Sequence, residues 1–403
     1  MNKAIDTIDG QKGLPKWFKT AADVLKNVTN GSLVIELPDQ RKFLFDSKCA
    51  GPNGVLKINH KDFFTRLLRE GENGFSEAYM DGWWDTPDLL ELLDFMLANN
   101  IEVEGNLTGA GVVRLYEKIL HWFRSNTKRQ ARKNISAHYD LGNDFYEKWL
   151  DSTMTYSSAL FDTKVKSLKD AQVNKYSRIC DCLELKSGDN ILEIGCGWGG
   201  FMEHAIKNND INITGLTISQ KQYDYAKKRL NRIGLNDKAK VVLQDYRDEK
   251  GLYDAIVSIE MFEAVGEKFW PEYFTTLASS LKSGARATLQ IITISDELFP
   301  EYRKSVDFIQ KYIFPGGMLP CNKALTENFE NVGLRKIDQK EFGKSYSKTL
   351  RIWYENFNNV WEEISSQGFD DRFKRMWNFY LASCAAFFES GTGNVVQLTL
   401  QKD

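Results

Sequence analysis

The sequence predicts an α/β fold in which a mostly parallel sheet forms the larger part of the chain and a smaller α+β domain precedes it. Beyond residue 165, short apolar runs alternate with helical patterns, as they do in sheets that helices cover on both faces. Before residue 100, strand-like and helical segments are mixed. With 403 residues, 42% of them hydrophobic, the chain is long enough for two domains with substantial cores.

The N-terminal part begins with a predicted hairpin. Ser32 to Leu37 and Lys42 to Phe45 are apolar-rich and flank a turn-like segment. Asp62 to Glu70 and Pro87 to Asn99 have the pattern of helices. We therefore assign residues 1–104 to an N-terminal accessory domain.

Residues 105–134 have a helical and basic pattern, and we interpret them as a linker. Aromatic and apolar residues alternate there with a set of cations, namely Lys118, Arg124, Lys128, Arg129, Arg132 and Lys133. One interpretation is a solvated linker. The other is a peripheral membrane contact, because cations attract anionic headgroups while aromatic rings enter the interface.

The C-terminal part, residues 135–403, contains the apolar runs that predict the parallel sheet. Helical segments that start near Gly200, Ser219 and Trp270 separate most of them. The predicted strands are Asn190 to Ile194, Ile211 to Leu216, Lys240 to Leu243, Asp254 to Ile259 and Ala287 to Ile292. In such a sheet the ligand is expected outside the carboxyl ends of the strands.

The most specific local motif is a glycine-rich turn after the first of these strands. Gly195, Gly197 and Gly200 satisfy the pattern G-x-G-x-x-G, which on its own also fits a nicotinamide dinucleotide. Glu193, two residues before the first glycine, suits a carboxylate that holds the amino-acid or ribose end of S-adenosylmethionine. The same charge would repel a pyrophosphate.

A second observation also argues against a dinucleotide. A dinucleotide fold places an acidic residue about 20 residues after the glycines, and Gly215 to Gln220 contains none. The sequence therefore predicts a Rossmann-like methyltransferase fold. After the third strand, Gln244 and Asp245 are candidate acceptors for the adenine amino group. Tyr246 is either a stacking partner of adenine or a half-buried surface aromatic.

Composition excludes several other classes. A net charge of −2 argues against a general nucleic-acid binder. The six cysteines lack paired spacing, and we interpret them as reduced thiols. Because no apolar run approaches the roughly 18 to 20 residues of a spanning helix and the start lacks a signal-peptide pattern, we expect a cytoplasmic protein.

Several separated segments together resemble one family, the cyclopropane fatty acid synthases with the related mycolic acid cyclopropane synthases. The similarity covers roughly residues 135–400. The matching segments are His138 to Tyr146, Met154 to Ala159, Ile191 to Gly200, Thr217 to Gln222, Gln244 to Asp248, Met261 to Gly266, Lys311 to Pro315 and Tyr380 to Cys384.

The resemblance implies a substrate and a location. Glu77 to Trp84 is similar to part of the accessory domain of the phospholipid-acting members. This implies a lipid-handling role for residues 1–104 and the acyl chains of membrane phospholipids as substrate. It also implies peripheral association with the inner face of the cell membrane. A homodimer is left open.

The resemblance and the motifs together give the candidate cofactor-binding residues for S-adenosylmethionine. They are Tyr156, Ser157, Glu193, Gly195, Cys196, Gly197, Gly199, Thr217, Ser219, Gln222, Gln244, Asp245 and Tyr246. In the family, a carbon of a cis double bond attacks the sulfonium methyl group and leaves a carbocation. A bicarbonate ion then removes a proton, and the ring closes.

The bicarbonate ligands of the family map to Ser158, Glu263, Ile292, Ile294 and Tyr346. Ser158 replaces a cysteine of the familiar synthases and Ile292 replaces a histidine. Loss of the imidazole weakens anion binding or changes how the proton leaves. Cys384 matches a cysteine once proposed as a nucleophile, and we favour a packing role for it because alkene methylation needs no covalent enzyme intermediate.

The leading hypothesis is therefore cyclopropanation of unsaturated phospholipid acyl chains. Loss of a neighbouring chain proton would instead leave a methyl or methylene branch without a ring. A catalytically silent lipid-binding protein and a small-molecule methyltransferase are hypotheses of other classes. Retention of Glu193, the glycines and Glu263 argues against the silent protein.

Overall fold

The structure is a computed structural model that describes residues 5, 7–99, 126–128, 130–131 and 141–403. In chain order, its helices are α1 (Phe18–Leu25), α2 (Phe63–Met80), α3 (Leu89–Ala98), α4 (Asn143–Trp149), α5 (Leu168–Leu183), α6 (Gly200–Asn208), α7 (Gln220–Arg232), α8 (Trp270–Ser280), α9 (Phe299–Tyr302), α10 (Asn322–Glu330), α11 (Gly343–Asn359), α12 (Trp361–Ser365) and α13 (Asp371–Glu389). Its strands are β1 (Ser32–Glu36), β2 (Lys42–Asp46), β3 (Asn53–Ile58), β4 (Trp84–Asp85), β5 (Asn190–Ile194), β6 (Asn212–Thr217), β7 (Ala239–Leu243), β8 (Tyr253–Ile259), β9 (Leu281–Ile294), β10 (Leu334–Glu341) and β11 (Gly393–Lys402).

Close packing defines two units among the described residues. The first takes its residues from Met1–Leu120, Ser305–Ile309 and Trp361–Gly391. The second takes its residues from His121–Lys304, Gln310–Val360 and Thr392–Asp403. The predicted boundaries at 1–104, 105–134 and 135–403 stay a prediction, and most of the predicted linker lies outside the described residues.

The first unit differs from the predicted N-terminal domain in one respect, because α13 packs within it. The ring of Phe379 lies 6.1 Å from that of Phe75. Arg375 donates hydrogen bonds to the carbonyl oxygens of Tyr79 and Trp84, at 2.5 and 2.7 Å. These contacts join the late helix to α2 and β4, although almost 300 residues separate them in the chain.

A four-stranded sheet in the order β2-β1-β3-β4 forms the centre of the first unit. The predicted hairpin is confirmed, since β1 and β2 pair antiparallel with Glu36 opposite Lys42. The helix predicted from Pro87 begins slightly later, at Leu89, because Asp88 is its N-cap and accepts from the Glu91 N–H at 3.0 Å.

The second unit contains a seven-stranded sheet in the order β10-β11-β9-β8-β5-β6-β7. The five predicted strands pair in parallel, from β9 to β7. The two strands that the sequence did not predict, β10 and β11, join at one side in antiparallel pairings. The mostly parallel α/β fold is thus confirmed.

The order of the strands indicates which edge of the sheet is expected to bind a ligand. The chain runs from β5 outward to β6 and β7 on one side, and from β8 outward to β9 on the other. In doubly wound sheets the crevice lies at this reversal, outside the carboxyl ends of the two strands. Residues that follow β5 and β8 are therefore the ones expected to meet a ligand.

Two of the predicted helix starts are fixed by local chemistry. Ser219 is the N-cap of α7, and its hydroxyl accepts from the Gln222 N–H at 3.4 Å. Helix α8 starts at Trp270 with Pro271 in its first turn. Among the described residues, no helix has the length and apolarity needed to cross a membrane.

Candidate active site

The glycine-rich turn after β5 borders open space. Gly195 and Gly197 have φ angles of 85° and 51°, which glycine adopts without strain. A Cβ atom at Gly197 would meet no described atom within 4 Å. A Cβ at Gly195 would collide with Met261 Cγ at 2.7 Å, so this glycine lets the loops after β5 and β8 approach each other.

Glu193 places a buried carboxylate beside this turn. Its side chain is only 2% exposed, and its Oε2 atom has no hydrogen-bond partner among the described residues. Burial raises the pKa of Glu193 to about 8, although the neighbouring Lys175 lowers it. Since an unpartnered buried carboxylate is costly, Glu193 fits the donor groups of an S-adenosylmethionine molecule.

The segment after β6 is a compact set of buried polar side chains. Thr217 Oγ1 lies 2.9 Å from Gln222 Oε1 and donates to it, while the Ser219 N–H donates to Thr217 Oγ1 at 3.2 Å. Because the carbonyl oxygen of the Gln222 amide is engaged, its N–H groups remain as donors for a ligand. The three residues lie together after β6, and their binding to the cofactor stays a prediction.

The segment after β7 is organised by an ion pair that the sequence did not indicate. Asp245 accepts from Arg247 Nε at 2.8 Å and from Nη2 at 2.7 Å, and both side chains are buried. Gln244 donates to Glu249 Oε2 at 3.0 Å. The Tyr246 ring is half-buried and lies edge-on to Tyr273 at 5.3 Å.

Two other predicted cofactor residues, Cys196 and Gly199, take part in packing around the turn. Cys196 packs in the core, its backbone N–H donates to the Leu216 carbonyl at 2.9 Å, and its Sγ lies 3.9 Å from the Gly197 carbonyl oxygen. Gly199 caps α6, where a Cβ would approach that of Ala226 at 3.3 Å. Gly199 thus serves helix packing.

The Tyr156-Ser157 pair lies in an aromatic and polar environment. The half-buried Tyr156 ring is 5.3 Å from the rings of Tyr146 and Trp353. Ser157 Oγ accepts from Lys175 Nζ at 2.7 Å, and the Ser157 carbonyl accepts from Gln172. The serine hydroxyl is therefore committed to a buried lysine.

Glu263 and Ile292 are in contact through the backbone of Ile292. Glu263 Oε1 accepts from the Ile292 N–H at 2.5 Å, while its Oε2 is buried with no partner among the described residues. Burial, and then the charge of Glu260, raise the pKa of Glu263 to about 8. The carboxyl group is therefore mostly neutral near pH 7.

Glu260 is a site residue that the sequence analysis missed. It directly follows β8, and its Oε1 accepts from the Ser158 N–H at 2.8 Å and from Gln290 Nε2 at 2.7 Å. A hydrogen bond from Tyr346 also acts on this carboxylate. A carboxylate at the carboxyl end of a central strand was the available signal.

Lys175 on α5 is the second missed residue. Its side chain is fully buried, which lowers the pKa of Lys175 to about 7, although Glu260, Asp151 and Glu193 raise it. The sequence offered no local signal, because a lysine among polar residues of a helix is usually solvated.

Ile294 and Cys384 are the two remaining predicted catalytic residues. The Ile294 N–H donates to the Pro320 carbonyl at 3.0 Å, so it is not available to an anion. Cys384 lies on α13 in the first unit and is half-buried. Burial raises the pKa of its thiol, which disfavours the thiolate that a nucleophile requires.

The residues present do not fit a bicarbonate ion. Two of the donors assigned to it by resemblance, the Ser158 N–H and Tyr346, are engaged by Glu260. The Ser158 hydroxyl donates to the Ala159 carbonyl at 3.0 Å. The Ile292 N–H is engaged by Glu263.

Comparison with known proteins identifies the family of this chain. Residues 126–398 match the family described as mycolic acid cyclopropane synthetase. The chain belongs to this family. It is 36% identical over 368 residues to a tuberculostearic acid methyltransferase of Mycobacterium tuberculosis, covering 86% of this chain and 83% of that protein. It is also 36% identical over 336 residues to the cyclopropane-fatty-acyl-phospholipid synthase of Escherichia coli, covering 83% and 84%.

Among solved structures, a mycolic acid cyclopropane synthase complexed with SAH and CTAB has a TM-score of 0.63 and 30% identity. The match covers 67% of this chain and 98% of that one. This member of the cyclopropane synthetase family is accordingly an S-adenosylmethionine-dependent methyltransferase that acts on lipid acyl chains.

Proposed function

We propose that the enzyme methylates a cis double bond in an unsaturated phospholipid acyl chain and closes a cyclopropane ring. The observation that carries this proposal is the adjacency of two groups. The glycine-rich turn follows β5, and the acidic residues Glu260 and Glu263 follow β8, which is the neighbouring parallel strand. Because Gly195 has no Cβ, the loops after the two strands can touch at Met261.

The roles of the residues follow from this adjacency. When bound, S-adenosylmethionine supplies an electrophilic methyl group. Glu193, the backbone near Gly197 and the polar side chains after β6 would hold it. Transfer of that methyl group to the double bond would break the sulfonium–methyl bond, release S-adenosylhomocysteine and leave a cation on the acyl chain. A carboxylate nearby both stabilises the cation and accepts a proton.

The phospholipid substrate and the membrane location are part of this proposal. The Escherichia coli relative is named for a fatty-acyl-phospholipid product, and the alignment with it covers 83% of this chain. A long acyl chain reaches the enzyme most directly from a bilayer, which supports peripheral association with the inner face of the membrane in the cytoplasm. A homodimer stays a prediction.

A branched product without a ring is the second candidate function. It is favoured by Ile292, which presents no imidazole and offers Glu263 only its backbone N–H. It is also consistent with the tuberculostearic acid methyltransferase, which matches this chain at the same 36% identity as the cyclopropane synthase. Both outcomes share the first step and differ in which proton leaves.

The experiment is methylation of vesicles of unsaturated phospholipid by purified enzyme with S-adenosylmethionine. Proton NMR of the extracted lipid should show the high-field signals of a cyclopropane ring and loss of olefinic signals. A methylated lipid with no ring signals would favour the branched product. Absence of any methylated acyl chain would refute the proposed substrate.

A further inference from the structure

Glu260 occupies a position in the hydrogen-bond network that an external anion would otherwise take. Its Oε1 receives the Ser158 N–H at 2.8 Å and Gln290 Nε2 at 2.7 Å. Tyr346 also hydrogen-bonds this carboxylate. The buried ammonium group of Lys175 is near enough to interact with it electrostatically. The hydrogen-bond donors that would hold a small anion thus converge on one side chain of the protein.

The orientation of Gln290 is fixed by a directional chain of hydrogen bonds. Arg178 Nη1 can only donate, and it lies 3.1 Å from Gln397 Oε1. Gln397 must then donate through Nε2 to Gln290 Oε1, at 3.0 Å. Gln290 is left with its amino group toward Glu260. The network therefore provides a donor at the place where the carboxylate lies, and reversal of either amide would break it.

The backbone of Glu260 is held in a conformation that a glutamate rarely adopts. Its φ angle is 47°, in the left-handed region that favours glycine. Strained backbone of this kind clusters at functional sites, where the side chain is required at that place. The residue is also only half-buried, so part of it remains accessible.

We propose that Glu260 is the catalytic base of this enzyme and replaces the bicarbonate ion of the related synthases. This assignment rests on the proposed function, because it names the acceptor of the proton that the acyl cation loses. The protein would then supply the base from its own side chain, whereas the related enzymes take bicarbonate from solution.

The step balances within the substrate and this one side chain. The Glu260 carboxylate accepts a proton from the newly added methyl group. The electron pair of the broken C–H bond forms a C–C bond to the cationic carbon, which closes the ring. Glu260 becomes a neutral carboxylic acid and returns its proton to solvent after the product leaves. Burial raises the pKa of Glu260, which makes it a stronger base than an exposed carboxylate.

The first test needs no variant. Turnover of wild-type enzyme on unsaturated phospholipid vesicles is measured in carbonate-free, degassed buffer and again with added bicarbonate. We expect equal rates. A rate that falls when bicarbonate is removed and returns when it is added would overturn the assignment.

The second test removes the carboxylate in two ways. Glu260→Gln keeps the size of the side chain and should lower kcat by about a hundredfold or more, the usual effect of losing a general base. Glu260→Gly suits the φ angle of 47° and leaves the donors of Ser158 and Gln290 without their acceptor. Turnover of the glycine variant should be restored saturably by added bicarbonate, whereas wild-type turnover should not respond.

The matched control is Glu184→Gly. Glu184 is the other glutamate with a positive φ among the described residues, at 51°, and it lies exposed at the end of α5. This control should have wild-type turnover with and without bicarbonate. Full activity of Glu260→Gln would overturn the base assignment, as would a glycine variant that binds S-adenosylmethionine but is not rescued by bicarbonate.

Cofactor binding separates a structural role from a chemical one. Calorimetric titration with S-adenosylmethionine should give the wild-type affinity for Glu260→Gln. If both variants fail to bind the cofactor, the bicarbonate response of the wild-type enzyme decides the question. Failure of the proposed function has a different signature, because the wild-type enzyme itself would then produce no methylated acyl chain.

Discussion

Gly197 allows cofactor contact and protein folding to be tested separately. Its φ angle of 51° is left-handed, and a Cβ there would meet nothing described within 4 Å. Gly197→Ala therefore introduces backbone strain of about 1 to 2 kcal/mol without a clash inside the protein. If the cofactor lies against this glycine, the added methyl group should also weaken binding. Overpacking of one methyl group costs about 1 to 3 kcal/mol, which corresponds to about a 5- to 150-fold increase in Kd.

Gly234→Ala is the matched control for this change. Gly234 follows α7 and has a φ angle of 71°, and a Cβ at this position would likewise meet no described atom within 4 Å. Both variants should lose similar free energy of unfolding in urea, and only Gly197→Ala should lose affinity for S-adenosylmethionine in calorimetric titration. Wild-type affinity of Gly197→Ala, or an equal loss in both variants, would refute the placement of the cofactor.

Three further predictions concern buried charges. Glu263→Gln should flatten the pH dependence of the free energy of unfolding. The folded-state pKa of Glu263 is raised from 4.5 to about 8, so its contribution to stability is complete below pH 4.5 and is lost as the pH rises through 8. The free energy of unfolding lost in this way is at most about 5 kcal/mol. Urea unfolding from pH 5 to 9 measures this, and parallel curves for the two proteins would contradict it. Binding of S-adenosylmethionine at pH 7 should release a proton from Glu193, whose pKa is about 8. Calorimetry in buffers of different ionisation enthalpy measures this proton release, which should be absent in Glu193→Gln. Arg247→Ala should cost about 3 to 5 kcal/mol of unfolding free energy by leaving the Asp245 carboxylate buried and unpaired, and an unchanged urea midpoint would argue against that ion pair.

The sequence predicted the central strands well because their burial leaves a clear pattern. Strands β5, β6 and β8 are mostly buried and carry Ile, Leu or Val at several positions. Glycine or serine marks the start of the helices that follow β5 and β6. Strand β10 was missed because its sequence, LRKIDQKE, is mostly charged, as an edge strand allows. Strand β11 pairs antiparallel, which the alternation of strands and helices does not indicate.

The site was predicted in part for the same reason. Glycines and acidic residues near strand ends can be recognised from the neighbouring sequence alone. The Oε2 atoms of Glu193 and Glu263 are buried at such positions. Glu260 was missed because its importance depends on partners distant in the chain, Ser158 and Gln290. Lys175 was missed because a helical pattern does not show that one polar position faces the core.

The unpredicted strand β11 bears on the role proposed for Glu260. It carries Gln397, which accepts a hydrogen bond from Arg178 and donates one to Gln290. Gln290 in turn donates to Glu260. Arg178 is itself anchored to Asp338 on β10 at 2.5 Å. The dipoles around the carboxylate are thus oriented before any lipid arrives, and little reorganisation is needed when positive charge develops on the acyl chain. If Glu260 is the base, the antiparallel strands added to the edge of the parallel sheet belong to the electrostatic preorganisation of the active site.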